Sequence, residues 1–340
     1  MFLNNARPIA LAGAVAAAIA LLSHPMAAAA KTKIILSNDT QALSLKGKTF
    51  ELLKAEIEKR LGNKVTVELH HSGSLFDQKT QIQGLQLGAA NMIAPTVGIY
   101  SSITPKVNAL LLPFMLQNAR AVDAAVKDPI VRAAFVPELE KKNVEPVAIW
   151  VNGPRNIGYK RKEPILTPAG MKGLKIRVQS APIYVDTMKA FGANVIAMSW
   201  SETPTALQQG VIDAVEPTPN AWVAAKIYEL VDNITVTGYC FDFYIVGANK
   251  QWWQGMPKDV RKGVQAALDA ATKWNWDNAK KINEESNAKI KAAGVGIHVL
   301  TPEQQKPWIA AVKPVWKKLG TDLVGPKVVA RLQEISAKYK

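Results

Sequence analysis

Residues 173–222 read GLKIRVQSAPIYVDTMKAFGANVIAMSWSETPTALQQGVIDAVEPTPNAW, and this stretch predicts the fold. Three short apolar runs, each too short for a helix and each followed by polar or turn residues, indicate strands at residues 174–178, 194–199 and 212–215. Two helices are predicted between these strands, and Ser201 is the expected N-cap of the second helix. The stretch is therefore typical of a parallel β-α-β-α-β unit.

Three side chains stand where these predicted strands end. Arg177 ends the first strand, Trp200 follows the second, and Glu216 follows the third. In open parallel sheets, ligands bind beyond the carboxyl ends of the strands. The stretch therefore predicts one wall of a ligand cleft.

The N-terminal half repeats the pattern. Strands are predicted at residues 33–36, 64–69 and 91–94, with helices at residues 44–60 and 78–87. We expect an α/β fold of two doubly wound lobes around a central cleft.

Other segments connect the two lobes. A crossing strand is predicted at residues 144–151 and a return strand at residues 241–246. A helix over residues 257–293 would exceed about 50 Å and span both lobes. The expected first lobe contains residues 31–152 and about 243–282, and the second contains residues 153–242 and about 283–340.

Residues 1–30 have the features of a cleaved signal peptide. Arg7 lies in a short polar region, residues 9–22 are apolar, and Ala28 and Ala30 match a small-x-small cleavage signal. The alternative, a membrane anchor, requires about 20 apolar residues, and this run is shorter. We expect the mature chain in the periplasm or outside the cell.

The chain is strongly basic, with a formal charge of +15, which loss of the single charge of Arg7 lowers to +14. The lysines are dispersed and do not alternate with aromatic residues along one groove, so we expect no nucleic-acid partner. A basic envelope protein that binds anionic polymers is an alternative. Cys240 is the only cysteine, so no internal disulfide is expected, and the thiol is predicted to be buried.

Signals for enzymatic chemistry are weak. His70 and His71 are adjacent on a predicted strand, so their side chains point to opposite faces and do not share a metal. The sequence contains no HExxH, CxxC or GxSxG motif. We expect no catalytic residue, metal or cofactor.

Three segments carry a resemblance to a known family. GPRNIGYKR (residues 153–161), residues 173–216 and VELHHSGSLFDQKTQIQGLQLGAANM (residues 67–92) resemble the solute-binding proteins of tripartite ATP-independent periplasmic (TRAP) transporters, the DctP family. The resemblance covers nearly the whole mature chain. It implies a periplasmic-binding-protein-like fold that closes around an organic acid. The protein would deliver this acid to the small and large membrane subunits of an ion-gradient-driven permease, and it would be a monomer.

The resemblance also implies ligand-binding residues. The family's central carboxylate-binding arginine matches Arg177 in KIRV. Arginine suits this role because a guanidinium donates two parallel hydrogen bonds to a carboxylate. A second arginine matches Arg155 in GPRN, and an aromatic wall residue matches Trp200. Looser matches in the first lobe give polar contacts at Asn38, Asp77 and Thr96.

One position departs from the family pattern. Pro217 replaces an asparagine that often contacts the ligand, and proline has neither a side-chain amide nor a backbone donor. We expect Asn220 or Trp222 to fill this space. The change puts the identity of the acid in doubt, so that dicarboxylates, sugar acids, 2-oxo or 2-hydroxy acids and aromatic carboxylates all stay open.

The same residues have ordinary structural interpretations. Arg177 could instead pair with Glu216 or Asp213, Arg155 could be a surface cation, and Trp200 could be a core aromatic. Glu216 is expected to orient an arginine or cap a helix, since it would repel an anionic ligand. The alternatives to a transport receptor are a binding protein of the same fold that serves a sensor, and a periplasmic enzyme.

Overall fold

A computed structural model describes residues 31–339 of the chain. The predicted signal peptide, residues 1–30, lies outside the described residues. Two separate sheets carry the described strands, and we call the sheets with their helices the first and second lobes.

The first lobe is built on a five-stranded sheet with the order β2-β1-β3-β10-β4. Its strands are β1 (Thr32–Ser37), β2 (Val65–His70), β3 (Met92–Ile93), β4 (Val144–Pro154) and β10 (Phe241–Asn249). Strand β1 is parallel to β2 and β3, whereas β10 is antiparallel to β3 and β4. Its helices are α1 (Leu45–Leu61), α2 (Gln81–Gln86), α3 (Ala119–Lys127), α4 (Pro129–Lys141) and α8 (Lys250–Gly255).

The second lobe is built on a six-stranded sheet with the order β7-β6-β8-β5-β9-β11. Its strands β7-β6-β8 correspond to β2-β1-β3 of the first sheet. Its strands are β5 (Ile157–Tyr159), β6 (Lys175–Val178), β7 (Asn194–Ala197), β8 (Ala214–Val215), β9 (Asn233–Val236) and β11 (Gly296–Val299). Strand β6 is parallel to β7 and β8, and β5 is antiparallel to β8 and β9. Its helices are α5 (Pro182–Ala190), α6 (Thr203–Gln208) and α7 (Pro219–Ala224).

The remaining helices follow β10. Helix α9 (Lys258–Ala292) is followed by α10 (Pro302–Ala311), α11 (Lys313–Val315), a π-helical segment at Trp316–Asp322, and α12 (Pro326–Lys338). Helix α9 packs against α1 and β4 of the first lobe and against α7 of the second. The predicted α/β fold of two doubly wound lobes with a long spanning helix is confirmed. The exact lobe boundaries stay a prediction. Helix α12, which was predicted in the second lobe, packs against α3 and α4 of the first lobe.

Local sequence explains where α1 begins and which face it buries. The Ser44 hydroxyl accepts a hydrogen bond from the amide of Gly47 and caps the helix. Phe50, Leu53 and Ile57 recur at helical spacing and are fully buried. They pack in one apolar cluster with strands of the first sheet and with residues of α9.

Two helix starts differ from prediction. Ser201 is not an N-cap, because residues Trp200–Glu202 form a 3₁₀ turn and α6 begins only at Thr203. The helix predicted from residue 78 begins only at Gln81. The carboxylate of Asp77 accepts hydrogen bonds from the amides of Lys79 and Thr80 in the turn before it, at 3.0 and 2.9 Å.

Helix α9 is fixed to the crossing strand by a buried amide. The pairing of β10 with β4 is irregular between Asp242 and Phe243, and Phe243 pairs with Val151. The side chain of Asn275 bonds to the backbone of Val151. Asn275 accepts from Val151 N at 2.6 Å and donates to Val151 O at 3.3 Å and to Thr49 Oγ1 at 3.2 Å. This fully buried side chain joins α9, β4 and α1.

We predict that Asn275→Leu lowers the free energy of unfolding by about 1–3 kcal/mol, because it leaves the buried amide of Val151 without a partner. Urea denaturation monitored by circular dichroism measures the change. Asn278→Leu is the matched control, since the Asn278 amide donates to Trp274 O of its own helix and the residue is only half-buried. Equal losses in the two variants would contradict the assigned role.

Candidate functional site

The loops that follow the parallel strands of one lobe contact those of the other lobe. Across the cleft, Ser199 donates to Asp77 Oδ2 at 2.7 Å, and the indole of Trp200 donates to Gln41 Oε1 at 3.2 Å. Thr96 hydrogen-bonds to Gln179. These contacts enclose a small cavity between the lobes, at the carboxyl ends of both sets of strands.

Arg177 is the penultimate residue of β6, lines this cavity and is 1% exposed. Its Nη2 donates to Gln78 Oε1 of the first lobe at 2.7 Å, and Nε and Nη2 donate to Met198 O at 3.1 and 2.8 Å. The ring of Trp200 lies 5.4 Å from the guanidinium carbon. Among residues 31–339, no carboxylate lies within 4.0 Å of Arg177, so the structure does not place it in an ion pair with Glu216 or Asp213.

Burial lowers the pKa of Arg177 to about 10, although more distant carboxylates such as Glu216 oppose the change. A buried cation is costly unless an anion compensates it. The shift therefore marks a guanidinium whose charge the surrounding protein only partly compensates.

Arg155 lies directly after β4 and is also buried, but carboxylates hold it on two sides. Its Nη2 donates to Glu216 Oε1 at 2.7 Å and its Nη1 to Asp242 Oδ2 at 2.6 Å, while Nε bonds to Glu216 Oε2. Tyr239 donates to Glu216, and the guanidinium carbon lies 4.6 Å from the ring of Tyr184. We call Arg155, Glu216 and Asp242 the ion cluster.

The pKa of Arg155 responds in the opposite direction. Burial alone would lower the pKa of Arg155, but Glu216 and Asp242 hold it well above its ordinary value. Arg155 is thus a buried cation and not a surface one. It lines the cavity, and a ligand contact from it stays a prediction. Glu216 orients an arginine, and that arginine is Arg155.

The structure brings together four of the eight candidate ligand-binding residues. Arg177, Arg155, Trp200 and Thr96 line the cavity. The other four lie nearby and are not among the described residues of its wall: Asn38, Asp77, Asn220 and Trp222.

Three of these four have hydrogen-bond partners, and the fourth packs in the core. Asn38 bonds to Thr40 within its loop, and Asp77 accepts from Ser199 across the cleft. Asn220 donates to Asn152 and accepts from the amide of Leu45 at 3.3 Å. Trp222 is fully buried in the apolar core of the second lobe.

Eight polar residues of the described wall were not among the candidates predicted from the sequence: Asp39, Thr40, Lys46, Gln78, Asn152, Gln179, Thr218 and Tyr244. Asp39 lies in the loop after β1, and Gln179 directly follows β6. Their positions at strand ends could have identified them as candidate wall residues. Lys46 lies in the first turn of α1, where a lysine is usually solvated, and yet it is 1% exposed. Pro217 does line the cavity, and Ala221 stands beside it where Asn220 or Trp222 had been expected.

Other features of the described residues do not form a comparable site. A depression of about 620 Å³ lined by residues such as Arg120, Trp276 and Tyr339 is larger, but it is open and contains no buried cation. Residues 31–339 contain no group of three His, Cys, Asp or Glu side chains placed to hold a metal. No helix within this range is long and apolar enough to span a bilayer. Cys240 is buried, as predicted.

Two doubly wound lobes that enclose a buried guanidinium between their strand ends define a solute-binding protein. The chain belongs to the family described as bacterial extracellular solute-binding protein, family 7 (DctP), which matches residues 36–322. The predicted family is therefore confirmed.

Individual relatives agree with this assignment. The chain is 31% identical over 290 residues to the C4-dicarboxylate-binding periplasmic protein DctP of Vibrio cholerae, covering 84% of this chain and 86% of the relative. A TRAP periplasmic solute-binding protein from Shewanella oneidensis with bound succinate superposes with a TM-score of 0.86 at 25% identity, covering 90% of this chain and 100% of that one. One from Ralstonia eutropha with bound (S)-2-acetolactate has a TM-score of 0.84 at 27% identity, covering 91% and 99%.

We predict that the two arginines differ in their effect on stability. Arg155→Ala leaves Glu216 and Asp242 buried without their cation and should lower the free energy of unfolding by about 3–5 kcal/mol. Arg177→Ala breaks no ion pair and should cost about 1–2 kcal/mol, the value of its hydrogen bonds. Urea titrations of the ligand-free variants compare the two. A larger loss for Arg177→Ala would refute this assignment of the charges.

Proposed function

We propose that this protein binds the carboxylate of a small organic acid at Arg177, in the cavity between its lobes. The observation that carries the proposal is the environment of this guanidinium, which is buried, borders the cavity and has no carboxylate within 4.0 Å among residues 31–339. A ligand carboxylate supplies the missing negative charge. The planar guanidinium also matches the two oxygens of a carboxylate.

The surroundings support recognition without a covalent step. Trp200 lies over Arg177, and its ring excludes water from an ion pair formed there. The amides of Gln78 and Gln179 and the hydroxyl of Thr96 supply neutral hydrogen-bonding groups in the same wall. The relatives are named as binding proteins, which agrees with a receptor and not with an enzyme.

Contacts between the lobes couple binding to closure. Gln78 from the first lobe touches Arg177 from the second, so an acid bound at Arg177 lies against both lobes. A ligand shifts a conformational equilibrium only by its differential contacts with the two states. We infer that the acid stabilises the closed arrangement because the complete wall exists only there.

The transport role rests on the relatives. Structural neighbours are described as TRAP periplasmic solute-binding proteins. We infer that the protein acts in the periplasm after removal of residues 1–30, and that as a monomer it delivers its acid to the small and large subunits of a TRAP permease. Release of the acid from the opened cleft completes the cycle.

We predict that Arg177→Ala weakens binding by about 2–5 kcal/mol, the range for truncating one partner of a buried charge pair. A thermal-shift screen of organic acids at fixed salt identifies a ligand, and isothermal titration then gives its affinity for each variant. Arg60→Ala is the control, because Arg60 pairs with Glu56 on the exposed surface of α1. A folded Arg177→Ala protein with wild-type affinity would refute the proposed site.

We further predict that Asp77→Ala and Ser199→Ala each weaken binding of the same ligand and that their effects are not additive. Their hydrogen bond joins the lobes, so either substitution removes the same contribution to closure. A coupling energy of about 0.5–3 kcal/mol is expected for residues in contact. Titration of both single variants and the double variant measures it, and strict additivity would show that the contact does not stabilise the bound state.

A further inference from the structure

The charges around the cavity restrict the class of acid that it accepts. Four charged side chains line the wall: Asp39, Lys46, Arg155 and Arg177. The remaining lining residues among those described are uncharged at neutral pH. The question is which of the three cations has its charge available for a ligand.

Lys46 is compensated within the first lobe. Its ammonium forms an ion pair with Asp39, and the side chains of Lys46 and Asp39 are 1% and 2% exposed. It also donates to Ala94 O at 3.0 Å and lies 4.6 Å from the centre of the Tyr244 ring. The charge of Lys46 is therefore balanced by a partner as deeply buried as itself.

The charge of Arg155 is compensated within the ion cluster. The ion cluster contains one cation and two carboxylates, and Asp242 and Glu216 are both fully buried. The Nε, Nη1 and Nη2 atoms of Arg155 all donate to these two carboxylates. A second ligand carboxylate placed beside it meets repulsion and no available cation.

Only Arg177 is left to balance an anion. The wall also contains the amides of Gln78, Asn152 and Gln179, and the apolar side chains of Pro217 and Ala221. These groups suit hydroxyl, oxo, amide or small apolar substituents. A second ionised carboxylate would be desolvated without an opposite charge, which is strongly unfavourable in a closed site.

We propose that the ligand is a monocarboxylate whose remaining part is neutral, and that dicarboxylates are discriminated against. The inference rests on the proposed function of Arg177 and makes that function more specific. Similarity to relatives leaves the choice open, because the relatives reported above include one named for C4-dicarboxylates and one with bound (S)-2-acetolactate, which has a single carboxylate. The charge pairing of this chain's own residues decides it.

The test compares acids of the same shape and different charge. Isothermal titration and thermal shift, at fixed salt and after removal of copurified ligand, are applied to two pairs: succinate with succinamate, and glutarate with glutaramate. We expect the singly charged member to bind at least tenfold more tightly in the pairs that bind. The screen of organic acids described above is run alongside, and its best ligand should carry one carboxylate.

A matched pair of variants tests the cause. Asp39→Asn removes the anion paired with Lys46 at nearly constant shape and should shift the preference at least tenfold towards the dicarboxylate. Asp259→Asn is the control, because Asp259 pairs with Lys64 on the exposed surface. If Asp39→Asn does not fold, the wild-type comparison still decides the question.

The outcomes separate the two proposals. Tighter binding of a dicarboxylate than of its singly charged partner, lost in Arg177→Ala, would overturn the monocarboxylate inference and leave the proposed function intact. No response to any acid would overturn both proposals. Tighter binding of the singly charged acids, with a shift towards the dicarboxylate in Asp39→Asn, would support both.

Discussion

The ion pairs of Arg155 hold together the two places where the chain crosses between its lobes. Arg155 directly follows β4, Asp242 is the second residue of β10, and Glu216 directly follows β8. The two crossing strands are thereby fixed to the end of a third strand. Because all three charged groups are buried, none of them is stable in this position without the others. The position of Arg155 in the cavity wall depends on this cluster.

The same pairing gives the second arginine its properties. Glu216 accepts hydrogen bonds from Nε and Nη2 on one edge of the Arg155 guanidinium, and it forms no ion pair with Arg177. The pKa of Arg155 rises and that of Arg177 falls, although both side chains are buried. Arg155 is thus paired with two carboxylates, whereas Arg177 has no carboxylate within 4.0 Å among residues 31–339. The division of roles comes from the positions of two carboxylates and not from a difference in the arginines themselves.

Much of this architecture could be predicted from the sequence because it depends on local patterns. Short apolar runs and helical periodicity predicted the repeated strands and helices. Gly192, just after α5, has a φ of +93°, which favours glycine, and it marked the end of that helix. Helix starts were less predictable where side chains bond to nearby amides, as at Asp77, or where a 3₁₀ turn intervenes, as at Trp200.

The site was only partly predictable because its charges pair over long sequence distances. Arg155 and Asp242 are 87 residues apart, and nothing in the local pattern joins them. Lys46 had the sequence context of an exposed helical lysine, and only the tertiary structure places Asp39 and Tyr244 around it. Trp222 has the size of a ligand-wall residue, but the close approach of Gly158 makes room for its ring inside the core. Strand-end position therefore finds candidates, and tertiary pairing decides which of them are available.

Helix α9 has a mechanical consequence. It is a single continuous rod of 35 residues that packs on α1 and β4 at one end and on α7 at the other. Towards the α7 end, the amide of Asn283 bonds to Asn152 O and to the backbone of Asn220, which ties the rod to both halves of the molecule. The halves therefore do not swing as free bodies on two flexible strands. A change in the angle between the halves would require the rod to bend or one half to slide along it, so such a motion has few degrees of freedom.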